Sequence, residues 1–356
     1  MSAPRAAVVG AGVSGAACAQ VLRAAGIEVR VVDRGRRPGG RLGTRRVELA
    51  GGGEHVVDTG AAYFTVSDEA AGGADGGATG APASAAAFAG TVSAWSSAGL
   101  ATPWTDTLSL LGPDGPRGST TGPQRWSAPG ALRSLVTDHL LEGLDVETGR
   151  AVRSVGVADG RPALDGEPVD AVVLAMPDPQ AGRMLDVGAS PGLAAARRVL
   201  SRAWDPVTTV YAVWDEPWWP ALTAGFVADD DLLSLVADDG ARRGDGAPVL
   251  VAHTTGPAAL EHLGDPDALV APVLERLGAV LGVASPPAPR SAAAHRWSFA
   301  SPQEAHEQPH LLTAVAGGLL GVCGDGWAAT ASGKPRVEQA WRSGHELGRA
   351  LAERLA

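Results

Sequence analysis

Three glycines near the start of the chain carry the clearest chemical instruction: Gly10, Gly12 and Gly15, spaced Gly-x-Gly-x-x-Gly. They follow an apolar run, residues 6–9, and precede a helical pattern over residues 16–25 that Gly26 closes. Gly10 permits a tight turn, Gly12 lets the backbone approach a pyrophosphate, and Gly15 lets a helix pack closely on the preceding strand. Val13 and Ser14 complete the turn, so that the helix N-terminus faces the phosphates. A second strand, residues 28–32, ends at Asp33, whose carboxylate can accept hydrogen bonds from ribose hydroxyls. Strand, glycine turn, helix and a second strand ending in an acid together predict a dinucleotide-binding unit, which the glycines alone would not.

The next run, Pro38-Gly39-Gly40-Arg41-Leu42-Gly43-Thr44-Arg45-Arg46, resembles the second conserved segment of the FAD enzymes related to amine oxidases. There a Gly-Gly-Arg turn brings backbone and guanidinium to the cofactor, which implies that Gly40 and Arg41 serve it, Arg41 by pairing with phosphate or ribose oxygens. Arg34 is assigned to the cofactor as well, although Arg34, Arg36, Arg37, Arg45 and Arg46 also read in part as a solvated basic loop. Further segments are similar, in order and spacing, to the renalase family and its bacterial relatives. They are Asp58-Thr59-Gly60-Ala61-Ala62-Tyr63-Phe64-Thr65, the Trp104 region, Arg125-Trp126 with Pro129-Gly130, His295-Arg296-Trp297, and Cys323-Gly324-Asp325 with Pro335-Arg336-Val337-Glu338-Gln339-Ala340-Trp341.

This resemblance implies one FAD and an α/β fold, in which a Rossmann-like FAD-binding domain is interleaved with a β-rich substrate domain, the architecture of amine oxidases and p-hydroxybenzoate hydroxylase. It places Val152, Gly324, Asp325, Arg336 and Val337 at the cofactor too, with Asp325 meeting ribitol or pyrophosphate. A closing helix beginning near Pro335 would point N–H groups and a positive dipole at flavin N1 and C2=O, where charge gathers on reduction. Around the substrate it places Ala62, Tyr63, His295, Arg296 and Trp297, each of which packing alone would also explain. Amine oxidases of this superfamily generally set a lysine near flavin N5 and flank the amine with two aromatic residues, often tyrosines. Lys334 is the only lysine here, and Tyr63 and Tyr211 are the only tyrosines, so that cage is not assembled in the usual way. The substrate implied instead is a dihydronicotinamide, a 2- or 6-dihydro isomer of NAD(P), or a similar small planar molecule, with hydride passing to N5 and electrons then to O2. Rearomatisation drives such a reaction, and no strong general base is required. Another flavin oxidase or desaturase, a biosynthetic tailoring enzyme and a non-catalytic FAD-binding protein stay open as alternatives.

These side chains need elements to hold them. The cofactor domain is expected from residues 1–60, 130–185 and 319–356, with 144–155 and 171–175 returning to its sheet. The substrate domain takes 61–129 and 186–318, β-rich at 207–213, 232–236 and 249–252. Residues 267–281 carry Leu269, Val270, Val273, Leu274, Leu277 and Val280 on one helical face. Residues 71–87, nearly all Gly, Ala, Ser, Thr and Pro, are expected to form a mobile loop.

Length and composition agree: 356 residues suggest about two domains, and 45% hydrophobic residues suffice for their cores. A net charge of −10 with locally scattered arginines argues against nucleic acid or an anionic membrane as partner, and no protein partner is indicated. Two cysteines, Cys18 in the first helix and Cys323 at a strand end, argue against a disulfide framework and fit a reducing cytoplasm. Arg5 and the apolar run to Cys18 imitate a signal or lipoprotein box. Cleavage there would remove all three glycines, and no other stretch reaches the ~18 apolar residues of a membrane span. His306-Glu307-Gln308-Pro309-His310 matches the zinc-protease pattern in letters, but Pro309 disrupts the helical turn the histidines would need, so no metal is expected.

Overall fold

The apolar runs flanking the glycine turn become the centre of a largely parallel sheet. A computed structural model describes residues 3–67, 83–328 and 336–356. Six strands lie in the order Leu311–Val315, Gly318–Val322, Ala171–Leu174, Arg5–Val9, Glu28–Asp33 and Asp145–Thr148. All neighbours are parallel except the edge strand Leu311–Val315. Val8 lies in register between Val173 and Val31, all three fully buried, as expected where both faces of a parallel sheet are covered. One face carries the first helix, Val13–Ala24, and the closing helix, Val337–Leu355. These helices cross so closely that a Cβ on Gly344 would stand 1.9 Å from the Ser14 carbonyl oxygen, a contact only glycine permits. The other face packs on the helices Asp178–Met184 and Pro191–Val199 and on a small antiparallel sheet of Val155–Ala158, Arg161–Leu164 and Glu167–Pro168.

The second large sheet has eight strands, ordered Ser291–Pro302, Trp204–Val213, Val249–Thr254, Leu233–Asp238, Ala224–Val227, Thr102–Gly112, Gly115–Ser127 and Phe64–Thr65. Alternation along its strands separates two faces. Val210, Leu250 and Ala252 pack against Val273, Leu277 and Val280 of the helix Val270–Val280. Tyr211, Val213, Val249 and Val251 face the other way, onto Val47 and Val57 of the hairpin made by Thr44–Glu48 and Glu54–Asp58. This mixed architecture, a Rossmann-like unit beside a β-rich one, is the fold class that the sequence implied.

Four local expectations differ from what the structure shows. The first helix starts at Val13 rather than residue 16, because Gly12 is already its extended N-cap. Of residues 144–155 only Asp145–Thr148 joins the parallel sheet; Gly149 turns the chain with φ +74° and Val155 opens the small antiparallel sheet. Leu311–Val315 lies on the substrate side of a boundary at 319, yet a tight turn at Ala316 and Gly317 folds it onto Gly318–Val322, making it the edge of the cofactor sheet. Residues 83–87 do not form a loop but begin the helix Ala83–Ser97. Alanine is a strong helix former, and Phe88, Val92 and Trp95 bury in the cluster that holds Trp341 of the closing helix. Residues 71–82 of that stretch lie outside the described residues. Among the described residues no helix is long and apolar enough to cross a membrane.

Candidate active site

The glycines of the first turn do two different things. A Cβ on Gly10 would lie 2.5 Å from the Ala175 carbonyl oxygen, and one on Gly15 would lie 1.9 Å from that of Gly10, so both close the turn against protein. At Gly12 a Cβ would meet only the Gly40 Cα, at 3.7 Å, and at Gly324, with φ +154°, it would meet nothing within 4 Å. Both open positions lie just past the carboxyl ends of strands in the parallel sheet, where such sheets bind ligands. Room beside bare backbone at a helix N-terminus suits a pyrophosphate, so the residues present fit FAD.

Asp33 accepts hydrogen bonds from the N–H groups of Ala11 (2.7 Å) and Gly35 (2.6 Å), which fixes the loop expected at the adenosine half. Its oxygens keep further lone pairs for ribose hydroxyls. Val152 packs half-buried on the cluster containing Val9 and Val32, and Arg34 is exposed. Val13 and Ser14 are buried in the first turn of the helix. Arg41 forks onto Asp325, with Nη1 to Oδ2 at 2.8 Å and Nη2 to Oδ1 at 2.5 Å, and donates to the Ala300 carbonyl at 3.0 Å. Its guanidinium lies 5.2 Å from the ring centre of Trp204. The structure therefore pairs these two cofactor candidates with each other, drawing the Gly39-Gly40-Arg41 turn onto the Gly324-Asp325 turn.

The closing helix is tied to the same place. Gln339 Nε2 donates to the Asp325 carbonyl at 2.7 Å, and Gly324 N–H donates to Ser343 Oγ at 3.1 Å. Arg336 is the extended N-cap and Val337 the first helical residue; Pro335 lies outside the described residues. N–H groups of a first turn have no acceptor within their own helix, so those of Val337 and Glu338 make no bond in that helix. Val337→Pro is expected to keep the helix, because proline is favoured at this first position, while deleting one donor. Losing roughly 1 to 3 kcal/mol of hydrogen bonding to anionic reduced flavin should lower its two-electron potential by about 20 to 65 mV, at ~30 mV per 1.4 kcal/mol. Spectroelectrochemical titration measures this, and an unchanged potential at full FAD occupancy would remove Arg336 and Val337 from the site.

On the substrate side, Thr209 lies opposite both His253 and His295 in the adjoining strands, so all three share one face of the eight-stranded sheet. Two residues along, Trp297 Nε1 donates to the Thr59 carbonyl at 2.7 Å, and its ring abuts Gly43, where a Cβ would lie 2.7 Å from Cη2. His295 stands edge-on to Trp297, with ring centres 4.5 Å apart, and its Nδ1 is 3.0 Å from Arg45 Nη2. Burial, reinforced by Arg45 and Arg133, pushes the His295 imidazole down to about 4. Burial and then Arg242 push His253 down to about 4, against a hydrogen bond with the Gly60 backbone. Both rings are neutral at pH 7.

Ala62 and Tyr63 occupy the far end of residues 59–63, in a cluster with Trp104, Leu235 and Phe226, and the Arg125 guanidinium lies 5.4 Å from the Tyr63 ring centre. Tyr211 packs in a separate cluster under the hairpin. Arg296 is not brought into the site: alternation turns it to the opposite face of its strand, where it is exposed and donates to the Leu263 carbonyl. Trp204, Arg133 and His253 are site neighbours that sequence reasoning missed, and Gln339, quoted within the closing segment, was given no role there. His306 is bound to Asp178 at 2.7 Å and stacked on Trp327, and residues 306–310 follow an irregular path rather than a helical turn.

The chain matches the NAD(P)-binding Rossmann-like domain over residues 8–72 and the flavin containing amine oxidoreductase family over residues 113–350. It is similar to cyclohexylamine oxidase from Brevibacterium oxydans IH-35A, with a TM-score of 0.70 and 14% identity, covering 99% of this chain and 100% of that one. It is also similar to a putrescine oxidase bound to putrescine, with a TM-score of 0.63 and 16% identity, covering 98% and 99%. At such identities the likeness speaks for the fold, whereas the family match spans most of the chain and agrees with the open glycine cradle. The protein belongs to the flavin-containing amine oxidoreductase family and is an FAD-dependent oxidoreductase acting on a small molecule.

Proposed function

We propose that this enzyme is renalase-like and oxidises a dihydronicotinamide, a 2- or 6-dihydro isomer of NAD(P), or a similar small planar substrate, with O2 as electron acceptor. FAD supplies the hydride acceptor, at N5, and the chain's task is to orient a flat ring and keep water away. The observation that carries this reading is the separation of the two tyrosines: Tyr63 and Tyr211 pack in different clusters, so they do not flank one amine. The sheet face that carries Tyr211 also carries Trp297 and the neutral ring of His295, with Arg45 and Arg133 close to that ring. Guanidiniums so placed disfavour an ammonium ion and tolerate a neutral or anionic substrate. In this reading Ala62, Tyr63, His295 and Trp297 line the pocket, residues 1–60, 130–185 and 319–356 hold the cofactor with the Leu311–Val315 edge added, and the protein works in the cytoplasm.

Anaerobic mixing of the purified holoenzyme with dihydronicotinamide isomers and with amines tests it, by the bleaching of the flavin. The isomers are expected to reduce it much faster than monoamines or polyamines do. Rapid reduction by an amine with inert dihydronicotinamides would reverse the assignment. Slow reduction by both would favour a tailoring oxidase.

A further inference from the structure

Beside the aromatic pair, three guanidiniums gather with no carboxylate hydrogen-bonded to any of them among the described residues. Arg133 lies over the glycine turn, with Cγ 2.8 Å and Nε 3.4 Å from a Cβ placed on Gly39. Its Nε is buried and has no hydrogen-bond partner. Arg45 is exposed and gives one nitrogen to its own Thr44 carbonyl at 3.0 Å and the other to His295. Arg37 is exposed, and it and Arg45 are both close enough to lower the proton affinity of Arg133, after the larger effect of burial. The opposing charge that acts on Arg133, Asp58, is buried and committed elsewhere: it accepts from Arg242 and Arg243 at 2.8 Å each and from the Leu132 N–H. In a chain of net charge −10, cations left together without a counter-charge form a ready partner for an oxyanion, and guanidinium forks match phosphate oxygens in particular.

We propose that Arg133 and Arg45, with Arg37 near them, form a phosphate-binding subsite beside the His295–Trp297 pair, so that the substrate is a phosphorylated nucleotide rather than a bare planar ring. The identity of its ring as a dihydronicotinamide rests on the function proposed above; the subsite itself does not. Phosphate oxygens could come from the substrate or from the pyrophosphate of FAD. Arg133 lies over Gly39, next to the Gly40 that faces Gly12, and by position suits either source; Arg45 decides for the substrate, because it reaches His295, beside Trp297.

ADP-ribose separates the two sources, since it carries a pyrophosphate but no nicotinamide to reduce the flavin. Calorimetric titration of oxidised holoenzyme should show binding that weakens as salt is raised. Arg133→Met and Arg45→Met should each weaken it about tenfold or more, with one FAD still bound per chain. Arg46→Met, which removes an exposed partner of Glu54, should leave it as in the wild type. Absence of ADP-ribose binding in the wild type, or equal binding in all four proteins, overturns the subsite. Loss of FAD from both the Arg133 and Arg45 variants overturns it as well and assigns the guanidiniums to the cofactor. Binding as expected, in an enzyme whose flavin no dihydronicotinamide reduces, would uphold the subsite and remove the proposed substrate ring.

Discussion

Gly12→Val should yield a folded but colourless protein. The backbone at Gly12 is extended, with φ −87° and ψ −174°, a conformation valine adopts freely. A Cβ there meets only the Gly40 Cα at an ordinary 3.7 Å, so the protein alone tolerates it. What the valine methyls occupy is the gap between the two glycine turns, where the pyrophosphate must approach the backbone. FAD content should fall from about one per chain to below about 0.1, with the apoprotein fold retained. Gly15→Ala makes the contrast: its Cβ would stand 1.9 Å from the Gly10 carbonyl oxygen and 3.0 Å from the Ala175 Cβ, so the turn and the helix on the sheet must shift, and stability falls along with flavin. Flavin absorbance against protein concentration, with circular dichroism for the fold, separates these outcomes. A yellow Gly12→Val protein with stoichiometric FAD would place the cofactor elsewhere.

The cofactor half was legible in the sequence because its requirements are local. Turn, strand and helix follow one another within residues 5–33, and Gly15 answers to Gly10 five residues away, although Gly10 itself answers to Ala175 at the end of a strand far along the chain. The closing helix was expected from the resemblance, and its buried residues Val337, Trp341, Gly344, Leu347 and Leu351 recur at helical spacing within one segment. The pocket was not legible in the same way. His295 and Trp297 were named through resemblance, but Arg296 between them was carried along, although strand alternation alone turns it to the other face. His253 reaches the site only because Val249–Thr254 pairs with Trp204–Val213 and places it opposite Thr209, and register between distant strands leaves no mark in either segment. Arg133 was hidden differently, in the turn just before a short helical stretch, where it reads as a surface arginine. The alanine-rich residues 83–87 misled because composition alone does not register Phe88 and Trp95, which anchor the helix that follows.

Arg242→Met is expected to cost about 3–5 kcal/mol of stability, the range for removing one partner from a buried ionic set. Arg242 is almost fully buried; desolvation works against its charge, but Asp239 and Asp58 outweigh it and hold the guanidinium firmly protonated. It donates to Asp58 at 2.8 Å, to the Ala62 carbonyl at 2.9 Å and to Asp239. Arg243 binds the same two carboxylates, and His55 Nε2 lies 2.8 Å from Asp239. The set therefore joins the hairpin, the substrate sheet and residues 59–63, the segment that Trp297 also grips. A methionine fills much of the volume but leaves two buried carboxylates short of a cation, which is where the cost arises. By contrast, Arg46→Met at the exposed Arg46–Glu54 pair should change stability little, because solvent screens that contact. Urea unfolding with FAD in excess reads both. Adding Asp239→Leu to Arg242→Met should cost less than the two single losses combined, by about 1 kcal/mol or more, since the second change removes a charge the first left stranded. Strict additivity, or a single-variant loss below about 1 kcal/mol, would show that these side chains sit together without holding the pocket wall in place.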